Sequence, residues 1–104
     1  MRLYLDDIRD PKGKFDFIAR DSVDAIMIMI ENGCPNFISF DHDLGGDDTA
    51  MKVIKWMVEQ DMDSILDPDF SFIPDNFKFF VHSANPVGKE NIESYLNSYL
   101  KQRG

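Results

Sequence analysis

The chain alternates short apolar runs with turn-rich or charged segments, and most apolar runs close on polar side chains. Residues 2–5, RLYL, have the pattern of a short strand that ends at Asp6 and Asp7. Residues 8–14, IRDPKGK, hold Pro11 and Gly13 and read as a turn. Residues 15–19, FDFIA, predict a second strand ending at Arg20. A helix follows, capped by Asp21 or Ser22. Val23, Ile26, Met27 and Ile30 recur at helical spacing and predict its inner stripe, and Gly33 ends it. Residues 37–40, FISF, are apolar on both faces except for Ser39, the pattern of a central strand in a covered sheet. After DHDLGG a second helix is expected from Asp47 or Asp48. Ala50, Val53, Ile54, Met57 and Val58 form its stripe, with Trp56 beside it. Residues 61–76 hold five aspartates and two prolines and read as a long acidic loop with at most one helical turn. A solvated loop accounts for those aspartates better than calcium, because the glycine and closing glutamate of an EF-hand are absent. Residues 77–81 predict a fourth strand ending at His82 and Ser83. Asn85 and Pro86 suit the cap and first position of a last helix, whose stripe is Ile92, Tyr95, Leu96 and Tyr99.

Strands alternating with helices predict an α/β domain. The expected sheet has four mainly parallel strands in the order 2-1-3-4, with three helices distributed over both faces. The connection from the first strand to the second is short for a parallel crossover, which usually takes a dozen residues or more. With 104 residues the chain fits a single domain over 1–104.

Composition narrows the function classes. Eleven Lys and Arg against nineteen Asp and Glu give a net charge of −8, a field that repels nucleic acid and attracts cations. DNA binding is therefore disfavoured. No run is long and apolar enough for a bilayer span, and the acidic pair six residues in argues against a signal peptide. Cys34 is the only cysteine, so no internal disulfide can form and a reducing, cytoplasmic setting is expected. No cation stands near Cys34 in sequence to lower its pKa, so a half-buried inert thiol is the preferred reading over a nucleophile.

The candidate chemistry lies where the strands end. Asp6 and Asp7 follow the first strand, Arg20 the second, Asp41, His42 and Asp43 the third, and His82 and Ser83 the fourth. In an open parallel sheet ligands bind outside the carboxyl ends of the strands, so parallel strands would bring all of these to one edge. Taken singly, each has a plainer reading: turn residues, a surface ion pair, a helix cap, a core histidine. Their coincidence points to a site. Asp6, Asp7, Asp41 and Asp43 are candidate oxygen ligands for a divalent metal, Mg²⁺ or Mn²⁺. Arg20 suits phosphate oxygens, and the helix opening over Asn85 to Lys89 suits an anion. His42 and His82 are candidate acid and base, in either order.

The blocks LYLDDIRDP, SFDHDLGG and VHSANPVGKENI, in this order, resemble the cyclic-phosphate-processing receiver domain, a divergent relative of the two-component receiver. The resemblance spans nearly the whole chain. It implies a flavodoxin-like three-layer sandwich, here reduced, and an activity on cyclic phosphates of nucleotides or RNA ends. Asp6 and Asp7 match the receiver pair that binds Mg²⁺, Asp41 the phosphate-accepting aspartate, and Ser83 the hydroxyl residue after the fourth strand. His42, Asp43, His82 and Asn85 follow the divergent family. The receiver's fifth strand is missing, and its lysine has no clear counterpart, Lys89 and Lys78 being only the nearest. These departures speak against phosphorelay signalling, and no output domain is expected within these residues. Two readings result. One is a metal-dependent phosphoesterase-like domain in which Asp41, His42 and His82 take part in catalysis and Arg20, Ser83, Asn85 and Lys89 bind phosphate. The alternative is a non-catalytic receiver-like module that binds a phosphorylated small molecule or a protein partner.

Overall fold

A computed structural model describes residues 1–64 and 70–103 of the chain. Its elements are β1 (Arg2–Leu5), β2 (Phe17–Ala19), α1 (Ser22–Asn32), β3 (Phe37–Phe40), α2 (Ala50–Asp63), β4 (Lys78–Val81) and α3 (Pro86–Arg103). The four strands lie in the order β2-β1-β3-β4, and every pair is parallel. The fold is a reduced receiver-like, flavodoxin-like α/β domain with the strand order and the three helices that the pattern predicts. No helix among the described residues is long and apolar enough to cross a membrane.

The placement of the helices differs from the expectation of both faces, and chirality explains it. The steps from β2 to β3 and from β3 to β4 run in the same direction across the sheet. Right-handed crossovers therefore put α1 and α2 on the same side. α2 packs on α1 and on α3, and α3 packs on β4. One cluster holds Ala25 and Met29 of α1, Val53, Ile54 and Met57 of α2, and Ile92 and Leu96 of α3. The same cluster takes Leu3, Leu5, Ala19, Ile38, Phe40 and Val81, which share one face of the sheet by the strand register. The step from β1 to β2 runs the other way, and its crossover belongs on the opposite face. That connection is too short for a helix and brings Phe15 there, 5.3 Å from Tyr4 and 6.1 Å from Phe37 between ring centroids.

Local differences follow from packing. β2 starts at Phe17 rather than at residue 15. Asp16 instead donates its N–H to the Arg2 carbonyl and accepts the Arg2 N–H on its carboxylate. α1 is capped by Asp21, whose side chain accepts the Asp24 N–H, and ends at Gly33 with φ 84°. The inner face of α1 is not the predicted stripe. Ser22, Ala25 and Met29 are buried, whereas Val23, Met27 and Ile30 are exposed. The helix lies close to β2 and α2, and small residues permit that approach. α2 starts at Ala50, two residues after Asp48. The Asp48 carboxylate takes the N–H and hydroxyl of Ser22, at 2.8 and 2.6 Å, and so fastens the loop after β3 to the start of α1. In α3, Ile92 and Leu96 are buried as predicted, but Tyr95 is exposed.

The acidic segment is also more structured than a solvated loop. α2 continues to Asp63, and Asp61 is buried. Its carboxylate accepts from Tyr99 Oη at 2.6 Å, from the Ile73 N–H at 2.8 Å and from Arg103 Nη1. Asp67 and Asp69 lie outside the described residues. Burial and the nearby Asp61 charge push the Cys34 thiol up to about 12, which supports the inert reading of that cysteine.

Candidate functional site

Parallel register brings the ends of β1, β3 and β4 together. Asp6, Asp7 and Asp41 each offer a carboxylate oxygen, and these lie within 4.8 Å of one another. They differ in how they are held. Asp6 is fully buried and accepts the N–H groups of Ile8 and Arg9 on Oδ1 at 3.0 and 2.9 Å. Its Oδ2 meets His82 Nε2 at 3.0 Å and Arg9 Nε at 3.5 Å. Burial alone would raise its pKa, but the two backbone N–H groups and His82 outweigh it and hold the carboxyl below its ordinary value. Asp41 is also nearly buried, yet among the described residues no side-chain or backbone donor reaches its carboxylate. Three hard-oxygen donors crowded at one edge, of which Asp7 and Asp41 have no partner among the described residues, fit a divalent cation such as Mg²⁺ or Mn²⁺.

Asp43, the fourth predicted metal ligand, stands outside this trio and has other partners. Its Oδ1 meets His42 Nδ1 at 3.0 Å, and its Oδ2 accepts from Asn85 Nδ2 at 3.1 Å. Those two hydrogen bonds lower the Asp43 pKa although the group is exposed. Asn85 caps α3 as predicted, its Oδ1 accepting the Gly88 N–H at 3.0 Å. Gly88 is bare for a reason: a Cβ there would lie 2.4 Å from His42 Cγ. His42, Asp43, Asn85 and Gly88 thus form a closed ring that fastens the first turn of α3 to the end of β3.

A cavity of about 410 Å³ opens over the carboxylates. Asp7, Asp41 and Asp43 line it together with Ser83, Ala84 and Asn85, and Arg9, Gly45 and Gly46 complete it. Gly45 and Gly46 have φ of 94° and 56°, which turns the DHDLGG loop back over the site at little steric cost. A larger groove of about 730 Å³ lies between α2 and α3, but no carboxylate or histidine lines it, so the chemistry belongs to the smaller cavity.

The remaining predicted residues lie around the cavity rather than in its wall. His82 is clamped: Nδ1 meets Ser39 Oγ at 2.7 Å, Nε2 meets Asp6, and the ring stacks on Tyr4 at 4.6 Å. Arg20 donates to the carbonyls of Asp6 and Arg9 and pairs with Asp10, so it braces the loop after β1. Lys89 does not line the cavity, and its N–H is bonded to the Asn85 carbonyl. The start of α3 offers an anion less than expected. Pro86 has no N–H, and those of Asn85, Gly88 and Lys89 already have partners. Sequence reasoning missed Arg9, a cavity-lining cation. The available signal was its place three residues after Asp6, in a turn that the Asp6 carboxylate closes.

The family model of the cyclic-phosphate processing receiver domain matches residues 1–98. No curated protein and no solved structure gives a significant match. The matched span contains the acid trio, the His42–Asp43–Asn85 ring and the cavity between them. The chain belongs to the cyclic-phosphate processing receiver domain family.

Proposed function

We propose that this domain is a metal-dependent phosphoesterase-like enzyme that opens cyclic phosphates of nucleotides or RNA ends. The observation that carries the reading is Asp41, whose carboxylate has no donor among the described residues, lies beside buried Asp6 and lines a polar cavity with Asp7. Asp6, Asp7 and Asp41 hold the cation. When bound, a divalent cation supplies charge neutralisation for the phosphate and a water made more acidic. Arg9 reaches phosphate oxygens from the cavity wall. Ser83 Oγ accepts the Asn85 N–H at 3.1 Å, which leaves its own proton for a phosphate oxygen. His42, whose ring packs on Gly88 beside the cavity rather than in its wall, moves the proton. Its Nδ1 is committed to Asp43, and its Nε2 has no partner among the described residues. His82 has both nitrogens engaged and positions Asp6 instead. Arg20 acts by bracing the loop that carries Asp7 and Arg9.

The test is hydrolysis of 2′,3′-cyclic and 3′,5′-cyclic nucleotides with Mg²⁺, Mn²⁺ or Zn²⁺. Asp41→Asn is expected to abolish turnover. His42→Gln should lower turnover by roughly 10²–10⁴-fold at saturating metal. His82→Gln should act first on metal affinity. The clamped state of His82, which leaves only one histidine for proton transfer, favours the second reading of a binding module without catalysis. Tight binding of a cyclic nucleotide with no turnover under any of these metals would establish that reading in place of the first.

A further inference from the structure

Three alternating columns of side chains climb the helix-free face of the sheet towards the acid cavity. They are Arg2, Tyr4 and Asp6 on β1, Phe37, Ser39 and Asp41 on β3, and Lys78, Phe80 and His82 on β4. The centre of this face is filled. Tyr4 and Ser39 are buried, and His82 and Phe15 lie against Tyr4. Beside that centre the Phe80 ring is 57% exposed, and exposed Lys78 lies below it. Arg2 lies over the rings of Phe15 and Phe37 at 4.9 and 4.6 Å. Parallel sheets are otherwise covered on both faces, so the exposed Phe80 ring beside the filled centre calls for an occupant.

Size selects among occupants. Four short strands make a face about 19 Å across and 13 Å along the strands, roughly 250 Å². A stable interface between two copies needs roughly 800 Å² from each partner, so this face is too small for a dimer. A flat aromatic ligand fits it. Distance agrees. Phe80 is paired with Ser39, two residues below Asp41, so its ring stands about 7 Å down the strand from the carboxylates.

We propose that the helix-free face is the nucleobase platform of the site: Phe80 stacks the base of a nucleotide whose cyclic phosphate lies in the acid cavity. This rests on the reading that the cavity takes a cyclic phosphate. Stacking on an aromatic side chain is tolerant of base identity, so the platform selects nucleotides over other cyclic phosphates without choosing strongly among bases.

The experiment is isothermal titration in saturating Mg²⁺ with two probes, a 2′,3′-cyclic nucleotide and ribose 2′,3′-cyclic phosphate, which lacks the base. The unmodified protein should bind the nucleotide about 5- to 100-fold more tightly, and Phe80→Ala should erase that preference while leaving affinity for the base-free probe unchanged. Phe80→Trp keeps a π face and should retain the preference. Phe80 is exposed, so none of these changes threatens the fold. Equal affinity of the unmodified protein for both probes overturns the platform and leaves the cavity reading intact. A preference that survives in Phe80→Ala also overturns it, places the base elsewhere and leaves the open face to a protein partner. Failure to bind either probe removes both readings together.

Discussion

Asp41 and Phe40 are neighbours in sequence with opposite jobs, and single substitutions separate them. Asp41→Asn keeps the side-chain shape and removes one of three crowded charges. It should fold, melt slightly higher than the unmodified protein without metal, and show no added stability in Mg²⁺. Phe40 is fully buried, and Phe40→Ala should cost about 3–5 kcal/mol in denaturant unfolding. Asp61 is the test of a structural carboxylate. Asp61→Ala leaves Arg103 and Tyr99 facing an empty place and should cost roughly 3–5 kcal/mol. Tyr99 reports the same cluster by absorbance. Burial and Asp61 push its phenol up to about 12. It binds its proton more tightly in the folded chain than in the unfolded one. Its contribution to stability is therefore complete below about pH 10 and is lost as the pH rises through about 12. A Tyr99 that ionises near pH 10 in the folded protein would show that the Asp61 contact is not formed in solution.

At the scale of elements, α1 and α3 carry the informative differences. Periodicity finds a helix in α1, but an apolar stripe does not say which face meets the sheet. Val23 and Ile30 are 67% and 61% exposed, so replacing either with Gln should change stability by no more than about 0.5 kcal/mol. Met29→Ala, on the buried side, should cost roughly 2–5 kcal/mol. The reverse ranking in urea melts would return the helix to the orientation that its stripe suggests. In α3, Gly88→Ala ought to stabilise by about 1 kcal/mol on helix propensity alone. The new Cβ meets His42 instead, so a loss is expected. A double-mutant cycle with His42→Ala should recover much of that loss, because it removes the group that the methyl strikes.

At the scale of the whole molecule, acid and metal are expected to act through two sets of carboxylates that share Asp6. Asp6, Asp43, Asp48 and Asp61 all titrate below their ordinary range in the folded chain. Each binds its proton less tightly when folded. Their help to folding is therefore full above the unfolded value of about 4 and is lost as the pH falls through the lower folded values. Thermal melts should be flat near neutrality and drop below about pH 4. Divalent cation adds a separate effect. Mg²⁺ or Mn²⁺ at a hundred times its dissociation constant should stabilise the protein by about 2.7 kcal/mol, reversed by chelator and absent in Asp41→Asn. A melt indifferent to both ions would remove the acid trio from metal binding.

The sequence by itself determined the elements and the residues at the strand ends. Those follow from local patterns: apolar runs closed by Asp6–Asp7, by Asp41–His42–Asp43 and by His82–Ser83, a cap at Asp21 and another at Asn85. Only the tertiary structure decided who faces whom. The direction of successive right-handed crossovers placed α1 and α2 on one face, and α3 joins them there by packing on α2 and β4, which no single segment encodes. The same assembly clamped His82 between Ser39 and Asp6, turned Arg20 into a loop brace and brought Arg9 to the cavity. It also drew Asp43 away from the acid trio to His42 and Asn85. A strand's pattern says that a polar group stands at its end. Whether that group meets a ligand or a neighbouring side chain depends on donors tens of residues away, and those are paired only when the chain closes on itself.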